Sequence, residues 1–149
     1  MIKNDHAGAI LTIDLNAIAT NYKLLKGLLA ASCECGAVIK SDAYGLGLSK
    51  IAGELAAAGC RSFFVAQIEE GVKLREILSP KFFGARIYLL NGIRSCAKAE
   101  LETHRLIPVL NSLEEIATWS GYAKNKNQKQ PAIINIDTGM SRLGLSPNE

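Results

Sequence analysis

The chain has 149 residues, 48% of them hydrophobic and 21% charged, with a formal net charge of +3. That balance fits one well-folded soluble domain. The clearest basic run, Lys124 to Lys129, lacks interleaved aromatics, which argues against a nucleic-acid surface, and no stretch approaches the about 20 apolar residues of a membrane helix. Met1 to His6 has no apolar core of a signal peptide, so a cytoplasmic location with no membrane partner is the expectation. Cys33, Cys35, Cys60 and Cys96 form no Cys-x-x-Cys pair, and His6 and His104 lie far from them, so no metal site is indicated and free thiols are expected.

Asp14 is a plausible N-cap for a first helix, in which Leu15, Ile18, Tyr22, Leu25 and Leu29 recur at helical spacing. Ala37 to Lys40 reads as a strand, Ser49 to Ala58 as a helix ending at Gly59, and Ser62 to Ala66 as a second strand. A helix follows over Ile68 to Leu78, with Glu69 and Glu70 in the first turn, where the helix dipole favours them. Arg86 to Leu90 is a third strand, followed by a short helix near Ser95 to Leu101. Leu106 to Leu110 is a fourth strand, and Asn111 or Ser112 caps a helix to about Trp119. The basic run reads as a loop, and Ala132 to Ile136 as a fifth strand.

The strands are continuous apolar runs, as parallel strands covered on both faces require. Their alternation with helices predicts an α/β fold with right-handed crossovers, either a doubly wound sheet or a (β/α) barrel. Five strands are too few for a closed (β/α)8 barrel, which typically takes about 250 residues. Ser146, Pro147 and Glu149 read as a new helix beginning, so the chain is expected to be cut from something longer.

Two stretches carry candidate chemistry. In Ala37-Val38-Ile39-Lys40-Ser41-Asp42-Ala43-Tyr44-Gly45-Leu46-Gly47 an apolar strand ends on a primary amine. Lys40 either caps the strand and snorkels to water, or is partly desolvated and becomes a nucleophile suited to Schiff-base chemistry. In a barrel the C-terminal ends of the strands line the active site, which is where Lys40 falls. The second stretch, Asn135-Ile136-Asp137-Thr138-Gly139-Met140-Ser141-Arg142-Leu143-Gly144, also puts polar groups past a strand end. Asp137 and Thr138 can organise a turn, and Arg142 offers a planar cation to a carboxylate or phenolate. Alternation along the strand puts Asn135 and Asp137 on the interior side and turns Ile134 and Ile136 toward the helices.

In that order, and with Ile13 to Ile18, Asn21-Tyr22, Val65 to Gly71 and Ile87 to Gly92, these stretches resemble the N-terminal part of alanine racemases, fold-type III pyridoxal-phosphate enzymes. The resemblance implies that residues 1–149 are the N-terminal portion of the pyridoxal-phosphate-binding barrel domain, its first five or so strands. The rest of the barrel and a C-terminal β domain would be absent. It implies that Lys40 holds pyridoxal 5'-phosphate in a Schiff base and acts as one of two bases at the substrate Cα. Tyr44 would bond the cofactor phosphate, and Arg142 would sit beside the phenolic oxygen and the substrate carboxylate. The substrate would be a small amino acid, the product D-alanine for peptidoglycan, and the assembly a homodimer whose partner supplies a tyrosine as second base. The segment alone is therefore expected to bind the cofactor poorly and to be inactive.

Two positions depart from the family pattern. Leu46 stands where many members have histidine, and Asn135 where many have a carbamylated lysine whose charge orients the arginine. A buried Arg142 would then lack a negative partner, at a cost of about 3–5 kcal/mol, so a small anion between Asn135 and Arg142 is one expectation, and compensation by Asp137 or water another. A racemase of broader specificity on the same fold is an alternative. A non-catalytic pyridoxal-phosphate-binding barrel is a further one, against which the Asp42-Ala43-Tyr44-Gly45 and Asp137-to-Gly144 stretches argue.

Overall fold

The computed structural model describes residues 8–93 and 98–148. Asp14 does cap the first helix, α1 (Leu15–Gly27), accepting the Ala17 amide at 3.0 Å. The helix buries Ala19 and Tyr22, whose hydroxyl donates to the Cys35 carbonyl at 3.1 Å and whose pKa burial pushes up to about 12. Leu25, at helical spacing with the buried Tyr22, is nevertheless 57% exposed, and Leu29 lies past the helix end.

Five strands follow: β1 (Ala37–Val38), β2 (Ser62–Val65), β3 (Arg86–Leu89), β4 (Leu106–Leu110) and β5 (Ile133–Ile134). They form one parallel sheet in the order β1-β2-β3-β4-β5. A doubly wound sheet reverses direction near its middle. Here each strand pairs with the next in sequence, which is the arrangement of a barrel wall and settles the alternative that periodicity left open. Between them lie α2 (Lys40–Tyr44), α3 (Leu48–Ala57), α4 (Ile68–Phe82), α5 (Lys98–Thr103) and α6 (Leu113–Lys126). Ser95 and Cys96, at the expected start of the short fifth helix, fall outside the described residues.

The register separates the two faces of the sheet. A Cβ on Gly71 of α4 would meet Leu89 and Leu106 at 3.0–3.2 Å, so these two residues point at the helices. Phe63 and Ile87 share that face and are fully buried. The opposite face carries Val38, Phe64, Tyr88 and Ile107, aligned across four strands, with the Phe64 and Tyr88 rings stacked at 4.7 Å. None of the described helices covers this inner face, and Val38 remains 47% exposed. Pro108, fully buried in β4, sits where the strand changes partner: Leu106 to Pro108 pair with β3, whereas Val109 and Leu110 pair with β5. That is a point in a strand where a missing N–H is tolerated.

Two helices outrun their expected ends. α4 passes Leu78 and Pro80 to reach Phe82, and α6 passes Trp119 to reach Lys126. The first part of the basic run is thus the last turn of α6, where Lys124 and Lys126 meet the negative end of the dipole, and Asn127 closes the helix in a left-handed conformation.

Arg75 of α4 fastens the lower end of the sheet. It is 6% exposed, and its guanidinium donates to the carbonyls of Phe83, Ala85, His104 and Arg105 at 2.9–3.2 Å. One side chain thereby satisfies the ends of two connections. Arg75→Ala is expected to lower unfolding free energy by about 3 kcal/mol, since the carbonyls lose their donor while still buried. Urea denaturation followed by the fluorescence of Trp119, the single tryptophan, measures it.

Candidate functional site

The site begins where β1 stops. The ladder continues one residue past the strand, with Ile39 donating to the Phe64 carbonyl at 2.9 Å, and then the chain turns. Lys40 was expected to close the strand; it instead opens α2, whose hand is reversed. Ser41, Asp42, Ala43 and Tyr44 have φ of 54°, 54°, 56° and 56°, four consecutive left-handed residues without a glycine. Each costs about 1–2 kcal/mol relative to the right-handed form, and L-residues normally visit this region singly.

Several bonds hold the turn. Ala43 donates to the Ile39 carbonyl at 3.0 Å, Gly45 to Ser41 at 2.9 Å and Gly47 to Asp42 at 2.9 Å. The Asp42 carboxylate accepts the Leu48 amide at 2.9 Å, tying the turn to the start of α3, and Ala43 is buried in the core. Glu70, the third residue of α4, accepts the Ser41 amide on one oxygen and the amides of Ala66 and Gln67 on the other, at 2.8 and 3.0 Å.

The second stretch forms a closed loop past β5. Asn135 donates its amide to the Leu110 carbonyl, extending the ladder, and Leu145 returns to bond Asn135 and Asp137 at 2.9 and 2.7 Å. The Asp137 carboxylate accepts the amides of Gly139 and Ser141 at 2.9 and 3.0 Å, and these bonds, Ser141's first, hold its pKa below the usual aspartate value. Gly144 has φ +106°, and a Cβ there would lie 2.9 Å from the Asp137 nitrogen and 3.0 Å from Asn135 Nδ2, so the loop closes only over a bare backbone.

Asn135 faces the inner side as the alternation predicted, but Ile136, expected to turn toward the helices, also lines the cleft there, and Ile134 is 56% exposed. Asn135 Nδ2 donates to Asn111 Oδ1 at 2.9 Å. The Asn111 amide group spends its own hydrogens on the Leu90 and Val109 carbonyls at 3.1 and 2.9 Å, which fixes its oxygen toward Asn135.

Lys40 and Arg142 are brought together. Both line one open cleft of about 720 Å³ at the C-terminal end of the inner face, with Ser41, Ala66, Asn135 and Asp137 also in its wall. Lys40 is half-buried there and Arg142 is exposed. The desolvation cost anticipated for a buried Arg142 therefore does not arise among the described residues, which leave it exposed. Tyr44 is not among the residues lining this cleft; it ends α2 with 63% of its surface exposed. Leu46 lies on another depression, between α2, Lys73 and Leu11.

Sequence reasoning passed over Asn111, Glu70 and Glu115 as site-building residues. Glu70 and Glu115 each stand three residues after a helix cap, Gln67 and Ser112, and that capping-box spacing was the available signal.

A cleft of this size suits a small organic molecule. A primary amine, a guanidinium, a carboxamide and a carboxylate converge on it at the strand ends of a barrel wall, as in an enzyme whose chemistry works on a carbonyl or carboxylate compound. Comparison with known proteins supplies the family. The sequence model described as "Alanine racemase, N-terminal domain" matches residues 13–149. The alanine racemase of Rhodospirillum rubrum is 45% identical over 145 residues, which is 97% of this chain and 38% of that protein. The catabolic alanine racemase of Agrobacterium fabrum is 48% identical over 143 residues, covering 96% of this chain and 36% of that one. A crystal structure of the Bartonella henselae alanine racemase with covalently bound pyridoxal phosphate superposes with a TM-score of 0.84 at 48% identity, over 92% of this chain and 39% of that chain. The chain belongs to the alanine racemase N-terminal domain family. It spans less than two fifths of the length of these relatives.

Two outcomes follow for the loop past β5. A carboxyl whose folded pKa is depressed contributes above its ordinary value, about 3.9, and its contribution is lost as pH falls through the lower folded value. The amide resonances of Gly139 and Ser141 are accordingly expected to keep their hydrogen-bonded positions below that ordinary value and to shift only on further acidification, read by NMR. Gly144→Ala should cost about 3 kcal/mol, from strain plus a backbone clash, whereas Gly45→Ala, with φ +81° but open space around it, should cost about 1 kcal/mol. Chemical denaturation of the two variants compares them.

Proposed function

We propose that this chain is the N-terminal portion of the barrel domain of a pyridoxal-phosphate-dependent alanine racemase, interconverting L- and D-alanine when the remaining strands and the second domain are present. The observation that carries the reading is the meeting of Lys40 and Arg142 in one cleft at the C-terminal end of the inner sheet face. The donor set fits the cofactor: Lys40 offers the amine for its aldehyde, and Arg142 a cation for its phenolic oxygen.

When bound, pyridoxal phosphate supplies an electron sink that makes the α-proton of an amino acid removable. Lys40 would hold the cofactor through its amine and would take or return the proton at the substrate Cα on one face. Arg142 orients the substrate carboxylate and bonds the cofactor phenolic oxygen. Tyr44, at the end of α2, contributes to phosphate binding once further elements close over it. Asn135 is anchored to Asn111 through one amide hydrogen and keeps the other for a small anion shared with Arg142.

Racemisation needs a base on each face, and the second comes from the partner subunit of a homodimer. The exposed inner face with Val38 supports association with further polypeptide. None of the described helices is long and apolar enough to cross a membrane. The reading makes the whole protein a cytoplasmic enzyme supplying D-alanine for peptidoglycan.

Mixing the chain with a large excess of pyridoxal phosphate, reducing with borohydride and mapping the adduct tests the reading. Lys40 is expected to be labelled in preference to the other lysines, but only at that excess, and with no racemisation of alanine. Equal labelling of all lysines removes Lys40 from the site. Efficient labelling at low cofactor together with turnover contradicts the need for the missing strands.

A further inference from the structure

We propose that Glu70 is a positioning residue for Lys40, its carboxylate holding the left-handed turn that keeps the lysine amine at the cleft. The proposal rests on the reading of Lys40 given above. The peptide joining Lys40 to Ser41 is the first of the reversed-hand turn, and its N–H points away from that turn, onto Glu70 Oε1. The backbone bonds inside the turn begin only later, with the Ala43, Gly45 and Gly47 amides. The peptide next to the amine therefore depends on a side chain from another helix for its orientation, in a conformation that L-residues resist.

Glu70 is itself fixed. It sits in the first turn of α4, where a carboxylate is favoured, and its other oxygen accepts Ala66 and Gln67 just past β2. One carboxylate thus pins the upper ends of β1 and β2 together. The same device recurs at α6: Glu115 accepts the Asn111 amide past β4 at 2.6 Å and the Ile93 amide past β3 at 3.3 Å. The repetition identifies a way of joining strand ends in pairs, and at α4 the clamped peptide is the one that follows the reactive amine. A glutamine at position 70 has the same size but a single acceptor oxygen, so it serves one strand end and releases the other.

Glu70→Gln in the intact chain tests this with two readouts. The first is amide hydrogen exchange. The Ser41 amide is expected to be protected in the parent and to exchange about tenfold faster or more in E70Q, while core amides such as Phe63 and Ile87 stay protected. The second is the share of borohydride-reduced pyridoxal phosphate found on Lys40, expected to fall by about tenfold in E70Q, as a misplaced reacting group loses its advantage. An unprotected Ser41 amide in the parent, unchanged Ser41 exchange in E70Q, or unchanged Lys40 labelling in E70Q overturns the proposal. If Lys40 is not the preferred label even in the parent, the cofactor reading of Lys40 fails, and the Ser41 exchange still decides whether Glu70 holds the turn. If E70Q does not fold, exchange at Ser41 in the parent decides in the same way.

Discussion

The reversed turn after Lys40 is the constraint on which the rest of the site depends. Four L-residues in the left-handed region are uphill by several kcal/mol together, so the turn persists only because its surroundings over-determine it. Those surroundings are ordinary elements of the fold: a buried alanine, an aspartate reaching the next helix, and a glutamate at the head of a neighbouring one. The strain is thus balanced by the packing of the sheet and its helices, and the lysine at the root of the turn takes its place from that balance.

The barrel wall explains why polar groups gather at one end. In a parallel sheet of consecutive strands every strand finishes on the same side, and each following helix begins there. Helix starts bring unpaired amides and favour carboxylates. Glu70 and Glu115 answer both needs and bond the neighbouring strand end as well. Asn111, between β4 and α6, extends the same logic sideways by fixing the Asn135 amide through two carbonyls. The opposite end is held by Arg75, which donates to four backbone carbonyls there.

The strands were legible because a short continuous apolar run bounded by turn residues suits little besides a strand covered on both faces. Their sequential pairing followed from the family resemblance more than from spacing. Lys40 and Arg142 were legible as residues past strand ends. The hand of the turn between Lys40 and Gly45 was not, because Ser-Asp-Ala-Tyr carries no glycine to announce it and the bonds that impose it come from distant residues. Helix ends were misjudged where tertiary packing overrode local signals: a proline near the end of α4, and a basic tail that reads as loop yet suits a helix C-terminus. The exposure of Leu25 and of Arg142 was not legible either. It depends on what packs against them, which no local pattern encodes.

Sequential pairing also governs how the molecule comes into being. Ala37 meets Phe63, Ser62 meets Arg86, and Val109 meets Ile133, so each rung of the sheet joins neighbouring stretches of chain. Contacts this local close small loops and form quickly. A ribosome delivering the chain from its N-terminus would release each later strand beside a partner already in place, and Lys40, just past the first strand, would have its Glu70 clamp as soon as the start of α4 emerged.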